Sequence, residues 1–289
     1  MLLVDTDNAA GSPSGDVDDA FAIAALLRSG LPVAALSSVA GNTSETQADR
    51  NNRVLGDLCG YRGRYLRGVQ AGDVPDRIDR AGDLWQEGPV RFLALGPLTN
   101  LAALLPAKPA ISEAVFVGGN RTSRGRFPPW WPHEFNLTKD PEATRAVFAS
   151  DLPLTVVPLD VARRLRIGPR ELKALPGELG ELLRRHSARW ARRSLLIRGS
   201  RRFPVFDLAA AAYAIDPALA AVEETQGRLH RNLWLEFGRG ERRLRVVRDL
   251  DLDGIWRLFE RFVGRIFDRC PACVVFFSVN SNQRGPGEE

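Results

Sequence analysis

Five carboxylates, Asp5, Asp7, Asp16, Asp18 and Asp19, stand within fifteen positions in VDTDNAAGSPSGDVDDAFAIAALL, near the start of a 289-residue chain whose net charge is +5. Asp5 and Asp7 close an apolar stretch two positions apart, so in a strand they point the same way along the pleat. Gly11, Pro13 and Gly15 bend the next stretch back to the same mouth. Like charges a few ångströms apart repel by ~1 kcal/mol in water and ~4 kcal/mol at an effective dielectric near 20. Four converging carboxylates therefore call for a cation. The segment holds no His or Cys, which disfavours zinc, and an all-oxygen set with room for bidentate carboxylates suits calcium better than magnesium. The competing reading is capping. Asp18 and Asp19 precede AFAIAALL, where carboxylates satisfy free amides and favour the helix dipole, and that accounts for two of the five.

The elements that must position these groups follow from the apolar pattern. Over the first 160 residues, strand-like runs alternate with amphipathic ones: LLVD with AFAIAALLRSG, LPVAALSSV with SETQADRNNRVLGDLCG, RFLALG with LTNLAALLP, AVFVGG with PEATRAVFAS, then LPLTVVPLD. This alternation predicts an α/β fold, a doubly wound, mostly parallel sheet flanked by helices in a single domain. Ligands bind such sheets at the carboxyl ends of the strands. There the chain places Asp5 and Asp7, Gly41-Asn42, Gly96 to Asn100 and Gly118-Gly119. Further on, Asp207 opens the Ala-rich DLAAAAYAIDP, and RLRVVRDLDLDGIWRLFERFV reads as a last strand and an amphipathic closing helix. The domain is expected over residues 1–265, with 266–289 a poorly ordered tail.

Composition narrows the function. With 44% hydrophobic and 26% charged residues the chain can bury a full core and is not of the disordered class. No apolar run approaches the roughly 20 residues that span a bilayer, and MLLVD lacks the basic and apolar regions of a signal peptide. No membrane partner and a cytoplasmic location are therefore expected. Three cysteines argue against a disulfide framework, and the lone CPAC at Cys270 and Cys273 is a weak zinc or redox signal. The positive charge is arginine, densest from Arg163 to Arg202, where Leu at helical spacing predicts a solvated helical face. Without a stacking-aromatic motif, no nucleic-acid partner is expected.

The segment DTD...DVDDAFAI resembles the calcium-binding DTDPGxDDAxA motif of the inosine-uridine-preferring nucleoside hydrolases. VAALSSVAGNTSETQADRNNRVL, GVQAGDVPD, LALGPLTNLAALL, GGN at Gly118 to Asn120, EFNLTKDPEATRAVF, LTVVPLDV and the closing RLRVVRDLDLDGIWRLFERFV follow in the family's order. The resemblance implies hydrolysis of the N-glycosidic bond of ribonucleosides to ribose and free base, a step of purine and pyrimidine salvage, by a homodimer or homotetramer. It implies calcium held by Asp7, Asp19, Asp207 and the backbone carbonyl of Thr99, with Asp7 taking a proton from the metal-bound water. It also implies that Asp18, Asn42, Glu134 and Asn136 bind the ribose hydroxyls of an oxocarbenium-like transition state, and that Asp5 orients its neighbours. Read without it, Asn42 is equally a turn residue, Asn136 a loop hydrogen-bonder, Thr99 or Asn100 a helix cap, and Asp207 the cap of its own helix.

Three departures stand out. NAAGSPSG replaces about three residues between Asp7 and Asp18, and its small, flexible composition is expected to bulge outward and leave both ends in place. Phe206 stands where the family commonly has the His that protonates the departing base, and Pro128 where it often has a ribose-binding Asn. Two replacements suggest themselves: His133 as the acid, or Trp130, Trp131 and Phe206 stacked on the base, as in purine-preferring relatives. Each has a structural counterpart, since His133 could be packing and the tryptophans a lid or subunit contact. Two rival functions follow. One is a nucleoside- or ribose-binding protein that kept the sugar site and lost leaving-group activation. The other is a phosphohydrolase using DTD as nucleophile, which would need a phosphate-binding Lys that a chain with only Lys108, Lys139 and Lys173 scarcely offers.

Overall fold

A computed structural model describes residues 1–12, 15–68, 89–105, 111–121 and 134–264. The all-apolar start of the chain forms β1 (Leu2–Thr6), buried along its whole length as a central parallel strand must be. It leads into α1 (Asp18–Arg28), β2 (Val33–Ser38), α2 (Glu45–Cys59), β3 (Arg64–Arg67), β4 (Val90–Ala94), α3 (Thr99–Leu104) and β5 (Ile111–Val117). Then come α4 (Phe135–Lys139), α5 (Pro141–Ala149), β6 (Leu154–Val157), α6 (Leu159–Ala162), the short β7 (Arg166–Ile167), α7 (Pro169–Ala174) and α8 (Gly177–Arg198). The chain finishes with β8 (Phe203–Pro204), α9 (Phe206–Ile215), β9 (Ala220–Leu229), β10 (Leu235–Phe237), β11 (Arg242–Leu250) and α10 (Leu252–Val263).

Among the described residues the main sheet has nine strands in the order β10-β9-β11-β6-β5-β4-β1-β2-β3. From β11 to β3 the pairs are parallel, while β9 pairs antiparallel with both β11 and β10. The chain winds outward from β1 through β2 to β3, then returns to lay β4 against the other side of β1. That reversal makes a crevice at the carboxyl ends of β1 and its neighbours, where a doubly wound sheet binds ligands.

The five strands expected from alternation are β1, β2, β4, β5 and β6, and the closing strand and helix are β11 and α10. Alternation does not reveal β3 or the antiparallel β9 and β10. The sequence of β3 is only RYLR, and β9 runs AAVEETQGRL, largely polar because it lies near the sheet's edge. The arginine-rich stretch forms α7 and α8 as expected, with Leu179, Leu182, Leu183 and Ala191 buried on the inner side of α8.

Among the described residues two cores cover the sheet. Leu2 and Val4 of β1 face the larger one, shared with α1, α8, α9 and α10, while Leu3 faces the smaller one beneath α3 and α5. The centre of the larger core is made of small residues: Ala20, Ala22, Ala24 and Ala25 on α1, and Ala209 to Ala212 on α9, all fully buried. Alanine faces let two helices approach closely, and this pair carries Asp18 and Asp19 in one first turn and Asp207 in the other. No described helix is long and apolar enough to cross a membrane. GVQAGDVPD, for the most part, and the tail with Cys270 and Cys273 lie outside the described residues.

Candidate active site

The crevice collects the carboxylates that the sequence spaces along the first strand and helix. Thr6, on the face of β1 toward α1, donates its hydroxyl to Asp19 Oδ1 and accepts from the Asn8 amide at 3.1 Å. Asp5 faces the other side, where Ser37 and Asn100 (Nδ2, 2.8 Å) both donate to its Oδ1. Asn100 also donates to the Ser38 carbonyl at 2.9 Å, so one amide ties β1, β2 and the start of α3 together.

Asp7 sits just beyond β1, where two glycines make room for it. The amide of Asn42 donates to Asp7 Oδ2 at 2.6 Å. A methyl group on Gly41 would land on that oxygen and come within 2.7 Å of Asp7 Cγ, and one on Gly96 would lie 3.1 Å from the same carbon. The Gly-Asn pair after β2 is thus a close backbone approach, and the peptide amide of Asn42 is its observed contact with Asp7. Asp18 Oδ2 accepts from the Phe206 amide at 3.2 Å, linking the N-terminus of α1 to that of α9.

Capping accounts for these groups only in part: Asp18 and Asp19 lie in the first turn of α1 and Asp207 in that of α9, and none is an N-cap. The N-cap of α1 is Val17, that of α3 is Leu98 and that of α9 is Val205, none with a side-chain cap bond. Thr99 instead donates its hydroxyl to Asp140 at 2.8 Å. Glu134 does cap α4, accepting from the Leu137 amide at 3.2 Å, and its other oxygen has no partner. Asn136 donates to the carbonyls of Leu95 (3.0 Å) and Val117 (3.3 Å) at the ends of β4 and β5. Phe206 opens α9 with its ring partly buried against the larger core. Trp130, Trp131, His133 and Pro128 fall in residues 122–133, outside the described residues.

Electrostatics mark the cluster as incomplete. Burial drives the Asp5 carboxyl up to about 6 despite its two donors, and burial with the Asp18 charge drives Asp7 to about 7 against the Asn42 bond. Burial and mutual repulsion push Asp16, Asp19 and Asp207 far above the ordinary carboxylate range, and burial raises Asp18. Glu134, also by burial, rises to about 7. Asp5 Oδ2, Asp7 Oδ1, Asp16 Oδ1, Asp18 Oδ1 and Asp19 Oδ2 are all shut off from solvent without a hydrogen-bond partner. Orphaned buried anions of this kind are costly, and a hard, oxygen-preferring cation satisfies them at once.

Both described ends of the replacement loop after Asp7 are held in place. Ala9 and Ala10 are buried, and the Asn8 side chain is locked between the Ala10 amide and Asn52 of α2. On the opposite side Trp190 Nε1 of α8 donates to the Gly15 carbonyl at 2.6 Å. Side chains 43 and 175 residues away hold these two ends, and local composition carries no trace of them. Thr6 and Trp190 are therefore site-forming residues that motif reading passes over, while Gly41 and Gly96 stand at strand ends that it marks. The two glycines had a signal, since each follows a strand at its carboxyl end.

The family model described as inosine-uridine preferring nucleoside hydrolase matches residues 2–257. Among curated proteins, the non-specific ribonucleoside hydrolase RihC of Salmonella typhimurium is 29% identical, over 93% of this chain and 98% of its own length. Among solved structures, the plant nucleoside hydrolase PpNRh1 superposes with a TM-score of 0.77 at 21% identity, covering 91% of this chain and 99% of that one. A purine-preferring ribonucleoside hydrolase from Gardnerella vaginalis gives 0.76 at 20%, over 91% and 97%. At those identities the two structures speak for the fold.

Proposed function

The chain belongs to the inosine-uridine preferring nucleoside hydrolase family, and from that premise we propose that it cleaves the N-glycosidic bond of ribonucleosides, releasing ribose and free base, with calcium in the carboxylate crevice. The observation that carries this reading is the set of buried, unpartnered oxygens on Asp7, Asp18 and Asp19, with the Asp207 carboxyl close enough to feel all three charges. In this reading Asp7, Asp19, Asp207 and the Thr99 carbonyl hold the ion. The donor set is all oxygen, as calcium requires. Bound calcium supplies charge compensation and polarisation of the water that attacks the sugar.

The chain's own residues divide the remaining work. Asp7 takes the proton of the attacking water through Oδ1, its other oxygen being fixed by the Asn42 amide. Asp18 and Glu134 each keep an unpartnered oxygen that can accept from a ribose hydroxyl. Asn136 spends its NH2 on Leu95 and Val117, which leaves its carbonyl oxygen for the sugar, and Asn42, whose backbone amide holds Asp7, is assigned a further ribose hydroxyl. Buried negative charge around the ring favours the oxocarbenium-like state over the neutral nucleoside. Asp5, through Asn100, orients the strand ends.

Departure of the base needs a proton or an electronic substitute, and Phe206 supplies no proton. Activation is then assigned to His133, or to stacking by Trp130, Trp131 and Phe206. A homodimer or homotetramer in the cytoplasm completes the reading, supported for the compartment by three cysteines in the whole chain. Phe206 also favours a second reading, a nucleoside-binding protein without turnover. Ribose release from inosine and uridine, with calcium and then with a chelator, separates the two: chelator-sensitive release supports hydrolysis, and tight binding without release supports the second.

A further inference from the structure

We propose that Asp16, carried by the segment that replaces the family's short connection between Asp7 and Asp18, is an additional anionic ligand of the cation crevice. The inference rests on the cation reading above and adds a carboxylate to the Asp7, Asp19 and Asp207 set. The oxygens of Asp16, Asp18 and Asp19 lie within 4.8 Å of one another. An acidic triad alone would carry little, but a second observation points to a ligand. Asp18 and Asp19 are only 7% and 1% exposed, and each turns an oxygen without a hydrogen-bond partner into the crevice. Asp16 adds a third such oxygen, Oδ1.

The segment is built to deliver that group. The Ser12 amide donates to the Ala9 carbonyl at 2.8 Å, starting the turn back toward the site. The Asn8 carbonyl accepts from Asn51 Nδ2 at 2.7 Å on the α2 side, and Trp190 fixes the Gly15 carbonyl on the α8 side. Gly15 itself packs so tightly on Ala9 that a methyl group there would meet the Ala9 side chain and lie 2.6 Å from its carbonyl oxygen. Asp16 is thus delivered to the crevice by anchors on two separate helices. Calcium affinity in oxygen sites rises with the number of charged ligands and the rigidity of the site, and this loop supplies both.

The test is calcium binding by calorimetry, with calcium as the only ligand, on the full chain and on Asp16→Asn, with Asp57→Asn as an exposed control for loss of one charge. The Kd of Asp16→Asn is expected to rise about 10–100-fold, with the Asp57 control unchanged. The thermal midpoint in chelator gives a second readout: Asp16→Asn should melt higher than the parent at pH 8, because it removes a repelled charge, and lower than the parent in saturating calcium. A purely structural role would lower both. An unchanged Kd in Asp16→Asn, with the parent binding calcium, overturns the inference and leaves the hydrolase reading intact. A parent that binds no calcium overturns the cation reading itself.

Discussion

Replacing Gly41 by alanine perturbs Asp7 and leaves every charge in place. The three nearest atoms to the new methyl group all belong to Asp7, with Cγ at 2.7 Å and Cβ at 2.9 Å. The carboxylate must therefore retreat by roughly 1 Å to reach ordinary contact, and in doing so it gives up the 2.6 Å bond from the Asn42 amide. A hydrogen bond to a charged group contributes about 1.5–3 kcal/mol, and a misplacement near 1 Å can cost about 100-fold in rate. The two estimates agree, since 100-fold is about 2.7 kcal/mol. The assay is kcat/KM on p-nitrophenyl riboside in saturating calcium, beside the thermal midpoint. We expect a fall of about 100-fold in kcat/KM with little change in chelated stability, because Gly41 lies in a half-buried turn outside both cores. Activity within about threefold of the parent would refute the assignment of Asp7 as the aligned base.

Three further outcomes follow from the same geometry. Asp7→Ala and Asp19→Ala should lose calcium affinity and activity together, and unchanged calcium titrations in both would remove them from the ion's ligands. Phe206→His should raise turnover of inosine and leave the nitrophenyl riboside, whose leaving group needs no proton, unaffected; equal effects on both substrates would contradict a leaving-group role at that position. The chelated protein should lose stability as pH rises, because Asp5 and Asp7 hold their protons more tightly when folded, near 6 and 7, than at the ordinary 3.8. Their contribution is complete below about pH 4 and is lost through pH 6–7, with up to about 3 kcal/mol from Asp5 alone. Calcium should cancel the decline, so the gain in melting temperature on adding calcium should grow between pH 5 and pH 8; a constant gain would show that these carboxyls do not titrate in that range.

The sequence displays those parts of the molecule whose physics is local. Alternating apolar runs mark β1, β2, β4, β5 and β6, since a buried parallel strand cannot avoid being apolar. The DTD and DVDD clusters stand out because uncompensated charge is rare in a core. What stays hidden depends on residues far apart in the chain. Asn100 supports Asp5 across 95 positions, and Trp190 fixes Gly15 across 175. The replaced loop reads as loose because Gly, Ser and Ala are flexible in isolation, yet its anchors lie on α2 and α8. Strand β9, next to the sheet's edge, escapes for the opposite reason, since one side of it meets solvent and its pattern is mostly polar. Capping, the alternative at Asp18, Asp19 and Asp207, holds only in part, since all three sit in first turns while the N-caps are Val17 and Val205.

The most direct measurement is hydrolysis of p-nitrophenyl riboside by protein stripped with a chelator and then titrated with calcium. This substrate bypasses base protonation and so isolates the cation and sugar site from Phe206. The account predicts no cleavage in chelator and full recovery with one calcium per chain. Cleavage that persists undiminished in chelator would contradict it.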